Sequence, residues 1–159
     1  MEKLNSMRAL EKVKVPYQVH LYPAERLSAV EVARHLGIDP ARVFKTLVVM
    51  PAAGRPVLAI LPAAASLDLK ALARALGVKE ARMATPDQAE RLTGLQVGGI
   101  SALALLGKGW RCYLDPSALA LAGGLLVSAG RRGCNLELAA ADLQRLTGAE
   151  ALPLARPED

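Results

Sequence analysis

The sequence is poor in the residues that carry most nucleophilic and metal chemistry: its 159 residues include two cysteines, two histidines, one tryptophan, one phenylalanine and three tyrosines. Cys112 and Cys134 lie far apart, form no CxxC pair and are not spaced with His20 and His35 as ligands would be. Neither a disulfide framework nor a metal site is expected, and two buried free thiols are the plainer reading, because free cysteine packs as a small hydrophobe. No GxSxG elbow, Walker lysine or GxGxxG run is present, and the thiols lack the histidine and carboxylate context of a cysteine hydrolase. No cofactor is called for. Aromatics at 3% leave little with which to stack bases, which weighs against a single-strand RNA platform. Apolar runs such as Val57 to Ala65 are far too short to span a bilayer, and Met1-Glu2-Lys3-Leu4-Asn5 places charge where a signal peptide needs an apolar segment. A soluble, cytoplasmic protein with no membrane partner is expected.

What is abundant is aliphatic. Hydrophobic residues make up 52% of the chain against 22% charged, so the core must be built from Leu, Val, Ile and Ala packed in layers. A chain of this length buries roughly two-thirds of its unfolded surface without staples. No repeat, low-complexity stretch or long linker interrupts it, which predicts a single domain over 1–159 with a compact core over about 4–155. Twenty basic against fifteen acidic residues give a net charge of +5, compatible with an anionic partner but not diagnostic of one.

Leu4, Met7 and Leu10 have helical spacing, and that helix must stop before Pro16. Tyr17 to Tyr22 alternates as a half-buried strand does, with Tyr17, Val19 and Leu21 on the apolar face and Gln18, His20 and Tyr22 on the polar one, where periodicity leaves His20 and Tyr22 facing either solvent or a site. Ser28 with Glu31 is a capping box, and Gly37 ends the helix that it opens. Phe44 to Met50 and Val57 to Leu61 are apolar on both faces, predicting a central buried hairpin. Asp68 and Gly77 bracket a third helix, and Thr85-Pro86-Asp87-Gln88 opens a fourth that runs to about Leu92. Strands follow at Arg111 to Leu114, Leu125 to Ala129 and Cys134 to Leu138, then a helix around Asp142 to Leu146. This order predicts an α/β fold of the α+β type, a curved mixed sheet flanked by helices and not a regular Rossmann array.

Lys45 carries the sharpest signal. It lies in a strand apolar on both faces, and lysine is seldom buried without a partner. One reading places it at a frayed strand start with its ammonium in water. The others make it a fixed cation for a phosphate or oxyanion, or an amine nucleophile. Gly98-Gly99-Ile100-Ser101 lets backbone amides approach a ligand, as an anion nest or an oxyanion hole, although a plain tight turn explains the same glycines. Ser128-Ala129-Gly130-Arg131-Arg132-Gly133 is a small-residue turn with two arginines, read either as a solvated hairpin or as a basic rim for a nucleic-acid backbone.

Four blocks in order, Val43-Phe44-Lys45-Thr46-Leu47-Val48, Leu67-Asp68-Leu69-Lys70, Thr93 through Ser101, and Val127 through Gly133 followed by Leu136-Glu137-Leu138, resemble the YbaK family of freestanding aminoacyl-tRNA editing domains. That family is related to the editing insertion of bacterial prolyl-tRNA synthetases. The resemblance runs from about Val15 to Leu154 and implies a strongly bent mixed sheet and hydrolysis of the ester that joins a wrong amino acid to tRNA, with cysteine on tRNA for proline as the leading substrate. By the same resemblance Lys45 holds the acceptor end and the amides of Gly98, Gly99, Ile100 and Ser101 stabilise the oxyanion. Tyr22, Phe44, Thr46, Ser128, Ala129, Gly130 and Asn135 would line the substrate pocket, Arg131 and Arg132 would contact tRNA, and prolyl-tRNA synthetase is a second implied partner. No metal is implied. Two positions depart from the family pattern: Ala102 stands where proline is usual, and Asn135 where cysteine-clearing members carry aspartate. Rival readings are a noncatalytic tRNA- or synthetase-binding module of the same fold and a lysine enzyme working through a Schiff base.

Overall fold

The computed structural model describes residues 2–25 and 27–157, so residues 1, 26, 158 and 159 of the expected 1–159 domain lie outside the described residues. Its frame is the expected hairpin. Strand β2 (Phe44–Pro51) pairs antiparallel with β3 (Val57–Pro62), and both are internal to a five-stranded mixed sheet. There β5 (Ala81–Met83) flanks β2, while β6 (Arg111–Leu114) pairs parallel with β3 and then with β9 (Glu150–Ala151). Alternation splits the hairpin between two cores. Phe44, Val48, Leu58 and Ile60 join the larger one, and Val49, Val57, Ala59 and Leu61 pack with Leu72 of α3 (Leu69–Leu76) in the smaller. That is why both faces read as apolar.

A second sheet holds β1 (Gln18–Leu21), β8 (Cys134–Leu138) and β7 (Leu125–Arg131) in that order. Val43, just before β2, bridges in parallel to Leu126 of β7 and thereby joins the two sheets. The fold is the expected α/β arrangement of helices on mixed sheets. A short pair, β4 (Ser66–Leu67) with β10 (Ala155–Arg156), closes the C-terminus.

The helix ends follow local chemistry. In α2 (Ala29–Leu36) and α4 (Pro86–Thr93) the expected capping boxes form, and Asp68 caps α3. The helices α1 (Asn5–Lys12) and α5 (Ala140–Thr147) cover the larger core through Met7, Leu10 and Leu143. The short pairings β4, β5, β9 and β10 went unread because two or three residues carry no periodicity.

One expectation is corrected. In β1, Val19 at 40% and Leu21 at 58% are exposed although they belong to the apolar face, of which Tyr17 alone packs on the larger core, whereas His20 and Tyr22, which the pattern leaves to solvent or to a site, turn inward. The strand is an outer strand of its sheet, and its polar face meets Glu137 and Asn135 of β8, so hydrogen bonding decides the orientation that hydropathy alone would reverse.

Asp115 ties the C-terminus to this frame. Its carboxylate accepts from the amides of Leu154 at 2.8 Å, Ala155 at 2.9 Å and Ser117 at 3.1 Å, and from the Ser117 hydroxyl. Burial pushes its pKa up, but these hydrogen bonds outweigh burial and hold it below the ordinary 3.8. Its folded value is therefore below its unfolded value. The stabilisation is complete above pH 3.8 and is lost as pH falls through the folded value. Acid titration of the melting temperature should show Asp115→Asn flattened below pH 4 relative to wild type.

Candidate active site

At the junction of the two sheets lies a cavity of about 430 Å³. The start of β2 borders it from both strand faces, through Phe44 and Thr46 on one and Lys45 on the other. Lys45 is half-buried and pairs in register with Leu61, so it is not at a frayed end, and its Nζ donates to the Ala65 carbonyl at 2.5 Å.

Across the cavity stands the second sheet. Tyr22, just past β1, is held by its amide on the Gly133 carbonyl at 3.0 Å, and its hydroxyl donates to Asn135 Oδ1 at 3.0 Å. Ser128 is the register partner of Asn135. Burial, with the nearby Cys134, raises the Tyr22 pKa against the opposing pull of the Gly133 backbone, so the hydroxyl stays protonated and a donor at neutral pH. Behind this wall His20 Nε2 lies 2.8 Å from Glu137 Oε1, and Arg42 donates to Glu137 Oε2 at 2.8 Å and to the Gly124 carbonyl at 2.9 Å. Burial raises the Glu137 pKa, but its bonds to His20 and Arg42 outweigh burial and the net shift is downward. This charged brace fixes β1, β8 and the approach to β2 together.

The glycine loop forms the rim. Gly98 has φ +94°, a conformation that a Cβ disfavours. Gly99 needs its lack of a side chain for a different reason, since a Cβ there would meet backbone atoms of Arg131 and Arg132 at 3.0 Å. The Gly99 amide is used within the turn, donating to Gln96 O at 2.8 Å. Among the described residues no hydrogen bond leaves the amides of Gly98 or Ile100, and both residues line the cavity. Ala102, in the place of the family proline, already has φ −64°, the angle that the ring would impose.

The cavity thus gathers Tyr22, Phe44, Lys45, Thr46, Gly98, Ile100, Ser128 and Asn135. The other expected residues sit elsewhere. Ser101 is fully buried and its Oγ accepts from the Ala104 amide at 3.1 Å. Ala129 is fully buried too, and its carbonyl takes the Ser6 hydroxyl of α1. Gly130, at φ +111°, forms part of a bulge between Ser128 and Arg131. Arg131 is exposed, and Arg132 Nε donates to the Val97 carbonyl at 2.8 Å. Sequence reasoning missed the α2 residues Ala29 and Val32 and the α4 residue Ala89 in the lining, because amphipathicity shows that a helix buries a face without showing against what.

Among the described residues no carboxylate, imidazole or thiol lines the cavity, and no group of three His, Cys, Asp or Glu side chains is placed to hold a metal ion. Both cysteines are free and buried, and burial pushes the Cys112 thiol up to about 11. No helix among the described residues is long and apolar enough to cross a membrane. A larger hollow of about 650 Å³ lies near Pro16, Leu119 and Ala140, but its one charged side chain among the described residues, Glu137, is already bonded to His20 and Arg42.

Comparison with known proteins places the chain by family and fold. The sequence model of the aminoacyl-tRNA editing domain matches residues 24–146. The chain is 38% identical over 151 residues to an Enterococcus faecalis (strain ATCC 700802 / V583) protein named "Putative Cys-tRNA(Pro)/Cys-tRNA(Cys) deacylase EbsC", covering 94% of this chain and 91% of that one. It is 33% identical over 101 residues to a proline–tRNA ligase of Acidithiobacillus ferrooxidans (strain ATCC 53993 / BNL-5-31), covering 63% of this chain but 18% of the ligase. A crystal structure described as "a putative trans-editing enzyme for prolyl tRNA synthetase" superposes with a TM-score of 0.81 at 25% identity, over 98% of this chain and 99% of that one. The match to the family model over most of the chain, with a relative similar along nearly its whole length, makes this protein a member of the aminoacyl-tRNA editing domain family, of the YbaK type.

Proposed function

We propose that this protein is a cytoplasmic trans-editing deacylase that acts as one domain on mischarged tRNA, cleaving cysteine or another small amino acid from tRNA for proline, in association with prolyl-tRNA synthetase. The observation that carries this reading is the convergence of Lys45 and the unbonded amides of Gly98 and Ile100 on one largely apolar cavity. A lysine ammonium there suits the phosphate or ribose end of an acceptor strand, and backbone amides suit a tetrahedral oxyanion. With no carboxylate, imidazole or thiol among the described lining residues, the nucleophile is the substrate's own thiol or a water assisted by the adenosine hydroxyl beside the ester. The thiol or water gives up its proton as it bonds to the carbonyl carbon, the ester C–O bond breaks, and the departing ribose oxygen takes that proton, releasing the amino acid as a cyclic thioester or as the free acid. Catalysis then rests on positioning and on oxyanion stabilisation.

The test is a deacylation panel of cysteinyl-, alanyl-, seryl- and prolyl-tRNA for proline, with remaining ester counted over time. Rapid loss of cysteine with prolyl ester preserved is the expected result. Binding of the acceptor end with no release from any member would instead make this a noncatalytic module.

RNA affinity should be largely electrostatic, given a net charge of +5 and few aromatics. Arg131 is exposed beside the glycine loop, so Arg131→Ala should weaken binding and lower the slope of log affinity against log salt by about 1.

A further inference from the structure

Val97, the residue before the glycine pair, is gripped on both of its backbone polar groups by side chains. Its amide donates to Glu90 Oε2 of α4 at 2.9 Å, and its carbonyl accepts from Arg132 Nε at 2.8 Å. Glu90 and Arg132 are both half-buried, and they reach Val97 from separate elements, the last turns of α4 and the turn between β7 and β8. The Arg132 stem also lies against Gly98, where a Cβ would sit 3.2 Å from its Nε and 3.3 Å from its Cγ. Backbone of the same turn closes on Gly99 at the 3.0 Å noted above. Three successive loop residues are therefore held by one turn, with α4 holding the first from its other polar group.

From this geometry we infer that Glu90 and Arg132 are positioning residues for the reaction: they clamp Val97 and so aim the Gly98 and Ile100 amides into the cavity. This rests on the deacylase reading above, and it moves Arg132 from the expected tRNA contact to the site's own framework. Backbone amides stabilise an oxyanion only if they are aimed before the charge develops. A loop whose glycines lack side-chain packing needs such an external grip, because glycine leaves the backbone free to sample other conformations. The geometry at Arg132 is specific to arginine, since the bonding nitrogen is Nε, one position inside the guanidinium. A lysine at this site keeps the charge but has a methylene where that donor sits.

The experiment uses the full chain and the variants Arg132→Ala, Arg132→Lys, Glu90→Ala and Glu90→Gln, with cysteinyl-tRNA for proline as probe. Deacylation kinetics are read together with hydrogen exchange at the Val97–Ile100 amides. Arg132→Ala, Arg132→Lys and Glu90→Ala should each lower kcat about tenfold to a hundredfold with KM and the salt dependence of binding little changed, and should speed amide exchange in the loop. Glu90→Gln, which keeps an acceptor oxygen, should stay near wild type. Recovery of wild-type turnover by Arg132→Lys, with Arg132→Ala raising KM and lowering the salt slope by about 1, would make Arg132 a phosphate contact and overturn the inference. Should the wild-type protein release no amino acid, the deacylase reading fails by itself. The exchange rates then decide the clamp, and unchanged exchange in Arg132→Ala and Glu90→Ala refutes it.

Discussion

Lys45→Ala is expected to leave a folded protein that has lost nearly all deacylation. The lysine is half-buried, in register within β2, and lines the same cavity as the backbone donors of Gly98 and Ile100. If its ammonium anchors the acceptor end, its removal lets the ester carbonyl drift from those donors. Losing one preorganised interaction of that kind costs about 2.7–4 kcal/mol of barrier, or roughly a hundredfold to a thousandfold in rate. The fold should survive, because the ammonium's hydrogen bond to the Ala65 carbonyl contributes about 1.5–3 kcal/mol, while the hairpin on either side is held by two apolar cores. Lys45→Arg should rescue poorly: a planar fork does not replace a compact ammonium seated on the Ala65 carbonyl. Single-turnover rates with melting temperatures check this, and a wild-type rate in Lys45→Ala would move the anchor elsewhere. Borohydride trapping separates the Schiff-base alternative, for which a covalent adduct at Lys45 is required.

The second large effect is on stability, at Gly133. This residue has φ +83°, and a Cβ there would lie 2.7 Å from the Tyr22 carbonyl oxygen and 3.1 Å from Ala24 Cα. Both obstacles are backbone, so neither can swing away as a side-chain tip would. Gly133→Ala combines a left-handed backbone penalty of roughly 1–2 kcal/mol with overpacking of roughly 1–3 kcal/mol. It also pushes on Tyr22, whose hydroxyl bonds Asn135 at the cavity wall, so activity should fall along with stability. Gly54→Ala is the control, because Gly54 has φ +97° with nothing within 4 Å of an added Cβ and should lose only the backbone penalty. Denaturant unfolding of the two variants measures the difference, and equal losses would show that the Tyr22 contact yields freely.

Much of the fold was legible because its signals are local. Ser28 with Glu31, Asp68, and Thr85 with Gln88 each satisfy orphan amides of the helix that they open, so a few neighbouring residues suffice to place it. The hairpin was legible because β2 and β3 are covered on both faces, which removes polar residues from both registers. At β1 the same logic reversed the faces. Hydropathy ranks Val19 and Leu21 above His20 and Tyr22, but the strand's partners are the polar side chains of β8, and these lie more than a hundred residues away.

The site divides along the same line. The sequence by itself determined the chemical inventory: one lysine in an apolar strand, a glycine pair, a small-residue turn with two arginines, and thiols and imidazoles too few and too scattered for a conventional nucleophile. It also determined, through four ordered blocks, the family. Only the tertiary structure decided which of these groups share a cavity. Tyr22, Lys45, Gly98 and Asn135 come from four separate stretches and meet where Val43, bridging to Leu126, joins one sheet to the other. Only the structure, too, distinguished Arg131 from Arg132. They are adjacent and chemically alike in sequence, but successive side chains leave the backbone in different directions, so one is exposed and the other reaches the Val97 carbonyl.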